Sequence, residues 1–191
     1  KILEDNPREV NAGLLLGRIA IHARAFKQAE KLLKRVIKIA PKFILAWHEL
    51  SNALREQGKD EEAIELLEEA LLFDTENATT HYQLAAALAV AGRTADSASA
   101  YKQAVQIDPN LVGAYLGLGH TLKTMGDLEG GIAAYKQARK LKPNIGEISF
   151  SLSNLKTFRF SDLEIEDMKR RLNNPNLDQP SKVAFSFSLG K

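Results

Sequence analysis

Residues 44–77 read ILAWHELSNALREQGKDEEAIELLEEALLFDTEN, and this stretch decides the fold. Leu66, Leu67, Ala70 and Leu71 recur at helical spacing. Gly58 sits near the middle, where a positive backbone angle lets one helix end. Asp60 follows it and is placed to cap the next helix. The stretch therefore reads as helix, tight turn, helix. Residues 112–145, VGAYLGLGHTLKTMGDLEGGIAAYKQARKLKPNI, carry the same plan.

Working outward, Pro7, Pro41, Pro109 and Pro143 fall on one lattice of period 34, with Thr75 at the point that lacks a proline. Such self-similarity sets the architecture before any other argument. The repeats are 10–43, 44–77, 78–111 and 112–145, and a fifth unit begins at 146. Position 7 is Leu16, Leu50, Leu84, Leu118 and Leu152, and position 8 is always small: Gly17, Ser51, Ala85, Gly119 and Ser153. Position 15 is Gly58, Gly92 and Gly126, with Arg24 as the exception. Thr94, like Asp60, is expected to cap a second helix. Pro41, Pro109 and Pro143 close second helices, because proline cannot continue them. Gly130 and Gly131 are expected to weaken the start of helix 128–141.

This pattern resembles the tetratricopeptide repeat (TPR), through Trp47, Leu50, Gly58, Ala63, Leu67 and Ala70 in one unit and Tyr115, Leu118, Gly119, Gly126, Tyr135, Ala138 and Pro143 in another. The resemblance implies an all-α fold: a right-handed superhelical α-solenoid of stacked helix hairpins, with the first helix of each pair lining a concave groove. The array is expected over 1–157, with 1–9 as the tail of a truncated repeat and 146–157 as the first helix of the fifth unit.

Residues 158–191 leave the pattern and are expected to form divergent capping helices, because repeat arrays need a terminal cover. Ser161 with Glu164 forms a capping box. Ile165, Met168 and Leu172 then make an apolar stripe. Residues 181–191 alternate like a strand, yet nothing else in the chain would pair with them, so they read as a helix capped by Ser181. The words SLSNLKTFRFSDLEIEDM also resemble the junction of bacterial TPR sulfotransferases. That resemblance implies a catalytic domain beyond this chain that would use 3′-phosphoadenosine 5′-phosphosulfate (PAPS). Within the chain itself no cofactor and no catalytic residue are expected.

Composition narrows the function classes. The 191 residues are 45% hydrophobic and 26% charged, with net charge +2 and no cysteine. Thiol catalysis, disulfides and thiolate zinc sites are thereby excluded, and a nucleic-acid partner is not expected from so balanced a charge. No run approaches the roughly 18 apolar residues of a membrane span. His22, His48, His81 and His120 show no HxxxH spacing, so no metal site is expected. The only glycine cluster, 126–131, lies inside a repeat and lacks the pattern of a phosphate loop. A bacterial cytoplasmic setting is the expectation.

Charge is unevenly placed. Segment 26–42 has six bases against Glu30, and segment 59–77 has Lys59 against eight acids. Cross-repeat complementarity on a solvated face is the simpler reading. Positions 2, 5, 9 and 12 of each first helix would face the groove. The candidate peptide-holding residues are His48, Asn52, Arg55, Tyr82, Gln83, His120, Lys123 and Asn154. Such a mixture can hold an extended peptide by its backbone and by small apolar pockets. The function expected is a non-catalytic scaffold for a protein or peptide partner, with an accessory role to a sulfotransferase as the alternative. Self-association through 158–191 is also considered.

Overall fold

The computed structural model describes residues 7–190, which form eleven α-helices and, among the described residues, no strand. They divide after Asp108 into two compact units. Residues 1–6, on which most of the truncated-repeat reading rests, lie outside the described residues.

The first unit holds three hairpins: α1 (Pro7–His22) with α2 (Phe26–Ile39), α3 (Ile44–Arg55) with α4 (Asp60–Leu71), and α5 (Ala78–Val90) with α6 (Thr94–Ile107). Ala29, Leu33, Leu50, Ala53, Leu54 and Ala63 form a fully enclosed core between the first two hairpins. Trp47 donates its indole N–H to the Pro41 carbonyl at 2.8 Å, which anchors α3 to the turn before it. Pro7 differs from the other lattice prolines. It opens α1, where its missing N–H has no helical partner to lose. Leu16 also differs. It is 53% exposed, whereas Leu50, Leu84, Leu118 and Leu152 are buried, and no helix precedes α1 among the described residues.

The turns inside the repeats share one geometry. Gly58, Gly92 and Gly126 have φ of 72°, 77° and 86°. The next residue's N–H reaches back to a helix carbonyl, from Lys59 to Leu54 (3.0 Å), Arg93 to Leu88 (2.9 Å) and Asp127 to Leu122 (2.9 Å). Arg24 adopts the same conformation with φ 57°, and Ala25 makes the matching bond to Ala20 at 2.8 Å. The repeat thus dictates a left-handed residue here even where the side chain disfavours it. Because this bond closes the turn so tightly, α4 and α6 begin one residue sooner than their expected caps. Asp60 and Thr94 are first helical residues, and the flanking Lys59 and Arg93 make no side-chain cap. Asp60 still places negative charge at the helix start. Asn77 and Asp127 are the residues that do cap, accepting from the N–H of Thr80 and Gly130.

The second unit holds α7 (Val112–Thr124), α8 (Leu128–Leu141), α9 (Gly146–Ser153), α10 (Asp162–Leu172) and α11 (Gln179–Leu189). Despite its two glycines, α8 is helical from Leu128. Gly119 lies against the Tyr135 ring, where an added Cβ would meet ring carbons at 2.5 Å. The small residue at position 8 is therefore a requirement of close helix approach.

Helix α9 ends at Ser153, short of the expected 157, with Asn154 at its C-cap. The chain turns there because Leu155, Phe158 and Phe160 tuck against Tyr135, Ile148 and Leu152, with Phe158 and Phe160 edge-to-face at 4.9 Å. Asparagine and threonine, poor helix formers, make the break inexpensive. The capping box of α10 is present, and its Glu164 also pairs with Arg139 of α8 at 2.7 Å. Residues 179–189 are helical. Asp178, not Ser181, caps them. Ser181 instead accepts the Gly146 N–H through its hydroxyl at 3.1 Å, so α11 packs tightly on α9. Met168, Leu177 and Phe185 fill the space between α10 and α11.

Candidate functional site

In the first unit α1, α3 and α5, the first helices of their hairpins, stand side by side. Arg18 on α1 pairs with Glu49 on α3 at 3.3 Å. His48 on α3 lies 2.8 Å from the Thr80 hydroxyl on α5. His48 was expected to face the groove, yet it is 7% exposed, and Thr80 is fully buried. It is a link between repeats rather than an open ligand group. Burial lowers its pKa, and Asp74 only partly opposes the shift.

Asn52 and Arg55 are brought together. Both line one cavity of about 480 Å³, which α1 closes with Ile21 and His22 and the following turn closes with Arg24. Val90, at the end of α5, completes the apolar side, and Glu56 and Asp60 lie on the acidic side. Arg55 is half-buried, and its Nε is buried without a hydrogen-bond acceptor. Tyr82 leans on Tyr101, with ring centroids 6.1 Å apart. The Tyr101 hydroxyl is pushed up to about 12, first by burial and then by Tyr82, with Arg55 opposing. Gln83 is half-buried, and its Oε1 also lacks a donor.

The second unit's candidates are held in other ways. His120 Nδ1 lies 2.8 Å from the Tyr135 hydroxyl, and the two rings meet edge-on at 5.3 Å. Loss of solvent around the ring lowers the His120 pKa, Glu147 opposing and Lys123 reinforcing. Burial pushes Tyr135 up to about 12. Lys123 is exposed, and Asn154 is the half-buried C-cap of α9.

Sequence reasoning missed His22, Arg24 and Val90. Arg24 alone gave a signal, as the one non-glycine at position 15. The charge runs on α2 and α4 do not neutralise each other directly. Across the repeats the pairs are Glu30 with Lys59 (3.1 Å) and Glu61 with Arg93 (4.0 Å), so α2 contributes its one acid and the α4 turn its one base. Lys34 and Lys59 hold the Glu30 carboxyl below its usual range, partly against burial. Among the described residues no cluster of three His, Cys, Asp or Glu could hold a metal ion, and no helix is long and apolar enough to cross a membrane.

Residues 51–92 match a family model described as TPR repeat, and residues 112–145 match one described as tetratricopeptide repeat. No curated protein sequence matches the chain. Among solved structures, a crystal structure of MamA is similar at 22% identity and TM-score 0.68, over 91% of this chain and 92% of that one. The pilF protein of Pseudomonas aeruginosa is similar at 16% identity and TM-score 0.72, over 96% and 76%. YrrB, described as a TPR protein with an unusual peptide-binding site, is similar at 16% identity and TM-score 0.67, over 98% and 93%. At these identities the likeness to the solved structures is one of fold alone, an all-α solenoid.

Proposed function

We propose that this chain of tetratricopeptide repeats is a non-catalytic scaffold that binds an extended protein segment along α1, α3 and α5. The observation that carries the reading is the cavity lined by Asn52 and Arg55, two groove residues one helical turn apart on α3. An amide and a guanidinium at that spacing share a face and suit hydrogen bonding to a peptide backbone and side chain. The peptide-binding description of YrrB, whose fold is similar, agrees with the reading. Tyr82 and Gln83 extend the surface on α5. His120, Lys123 and Asn154 are proposed as a separate contact on the second unit, and His48 acts by holding α3 to α5.

The experiment is peptide-array binding with wild-type protein, Asn52→Ala and Tyr82→Ala. Loss of binding in either variant, with helicity retained, is the expected result. Unchanged binding in both would sink the groove assignment.

A second reading, self-association, is favoured by the exposed apolar residues of α10 and α11: Leu163, Val183 and Phe187 are 79%, 52% and 61% exposed. Light scattering at high concentration tests it, and a monomer throughout would overturn it. An accessory role to a PAPS-dependent sulfotransferase rests on the motif of 151–168 alone, and sequence downstream of Lys191 lacking a donor loop would remove it.

A further inference from the structure

We propose that the cavity between α1 and α3 in the first unit holds the single carboxylate of an Asp or Glu side chain in a bound peptide, gripped by Arg24 and Arg55. This rests on the peptide-binding reading and gives it a ligand chemistry.

Two independent observations carry it. The first is Arg24. Three equivalent turns use glycine at φ of 72° to 86°, and Arg24 takes φ 57° with a side chain that disfavours it. Arg24 is exposed and makes no ion pair among the described residues, so no ion pair accounts for its choice over glycine. Backbone strain of this kind is retained where a side chain serves a site, and Arg24 lines the cavity.

The second is Arg55. Its Nε is buried with no acceptor, and no carboxylate lies within ion-pair distance of its guanidinium among the described residues. Glu56 and Asp60 line the same cavity, yet neither pairs with Arg24 or Arg55. Arg55 lines the cavity without a paired carboxylate, and the planar fork of a guanidinium matches a carboxylate.

The rest of the cavity narrows the ligand. Asn52, one turn before Arg55, offers an amide to the peptide backbone. Ile21, Phe26 and Val90 supply apolar contact for a neighbouring side chain. The volume of about 480 Å³ lies within the range of small-ligand pockets, roughly 300–1,000 Å³. Glu56 and Asp60 on the wall oppose a second negative charge, so a monoanion suits the cavity better than a phosphate dianion.

The test uses the whole chain and a library of nonapeptides, acetylated and amidated so that no terminal charge competes. One central position is Asp, Glu, Asn, Gln or phosphoserine, and the others are randomised. The expected result is Asp or Glu peptides bound about 10–100-fold more tightly than their amide analogues. Arg55→Gln is expected to erase that preference, and Arg24→Gly to reduce it while thermal stability is kept or raised, which excludes misfolding as the cause. Equal binding of acid and amide peptides, preference retained in Arg55→Gln, or tighter binding of phosphoserine would each overturn the inference and leave the peptide groove standing. No binding of any peptide would overturn both.

Discussion

The Nε2 of His48 and the Oγ1 of Thr80 are 2.8 Å apart, inside the protein, joining the first helices of successive repeats. Burial is the main reason that the His48 pKa is lowered, so the folded state favours the neutral ring. The unfolded chain takes up a proton near pH 6.5, whereas the folded one waits for lower pH. Stability is therefore intact above about pH 6.5 and falls as pH drops below it. His120 acts in the same direction. The lowered carboxyls of Glu30, Glu164 and Asp167 add their losses only below the ordinary carboxylate range, near 4. Urea midpoints at pH 8 and 5.5 measure this. A midpoint that is flat or rises toward pH 5.5 would contradict it.

Removing the hydroxyl tests the same link by another route. Thr80→Val keeps the shape of the residue and leaves a ring nitrogen of His48 buried without a partner. The expected cost is about 1–3 kcal/mol, read as a lower urea midpoint at pH 8. The shortfall should narrow in the double variant Thr80→Val with His48→Leu, because both polar partners are then gone. Strict additivity of the two substitutions would argue that the pair is not coupled.

Arg24→Gly restores the residue that the other three turns use. The left-handed conformation costs an L-residue roughly 1–2 kcal/mol, and the entropy of a new glycine returns about 0.5–1 kcal/mol of that. A net gain of about 0.5–1 kcal/mol in unfolding free energy is expected. A clear loss would mean that Arg24 makes a folding contact beyond the strain.

Gly119→Ala should be poorly tolerated. The new Cβ would sit 2.5 Å from the Tyr135 ring, and that ring is fully buried and bonded to His120. Overpacking at such a contact costs about 1–3 kcal/mol. Near-UV circular dichroism should lose tyrosine signal together with a lower melting temperature. An unchanged spectrum and melting point would show that the helices have room to part.

Much of the fold was legible because the repeat states its rules several times. Position 8 demands smallness, and Gly119 shows why. Position 15 demands a positive φ, and even Arg24 obeys. The site was less legible, because its residues depend on neighbours that one repeat's period does not record. His48 occupies the same position as Tyr82, yet it is buried against the Thr80 hydroxyl on α5, the first helix of the next repeat. The repeat's period places Asn52 and Arg55 on one face of α3, but the cavity they line is completed by Arg24 and Val90 from other repeats. The helicity of 162–172 and 179–189 is legible in the sequence, while the role of Ser181 is not. Its partner, the N–H of Gly146, is 35 residues earlier and carries no sequence signal.

That contact gives the last prediction. A Cβ on Gly146 would lie 2.5 Å from the Ser181 carbonyl oxygen and 2.9 Å from the Ala184 Cβ. Backbone of a packed helix cannot swing aside as a flexible side-chain end can, so Gly146→Ala should lift α11 from α9 and cost about 1–3 kcal/mol. Ser181→Ala removes only the hydrogen bond and leaves the close packing, so its cost should be smaller, about 1 kcal/mol. Hydrogen exchange separates the two: Gly146→Ala should speed exchange across α11, including the amide of Phe185, while α3 and α4 keep their protection. Equal protection of α11 in both variants and in wild type would mean that its seat on α9 does not depend on this glycine.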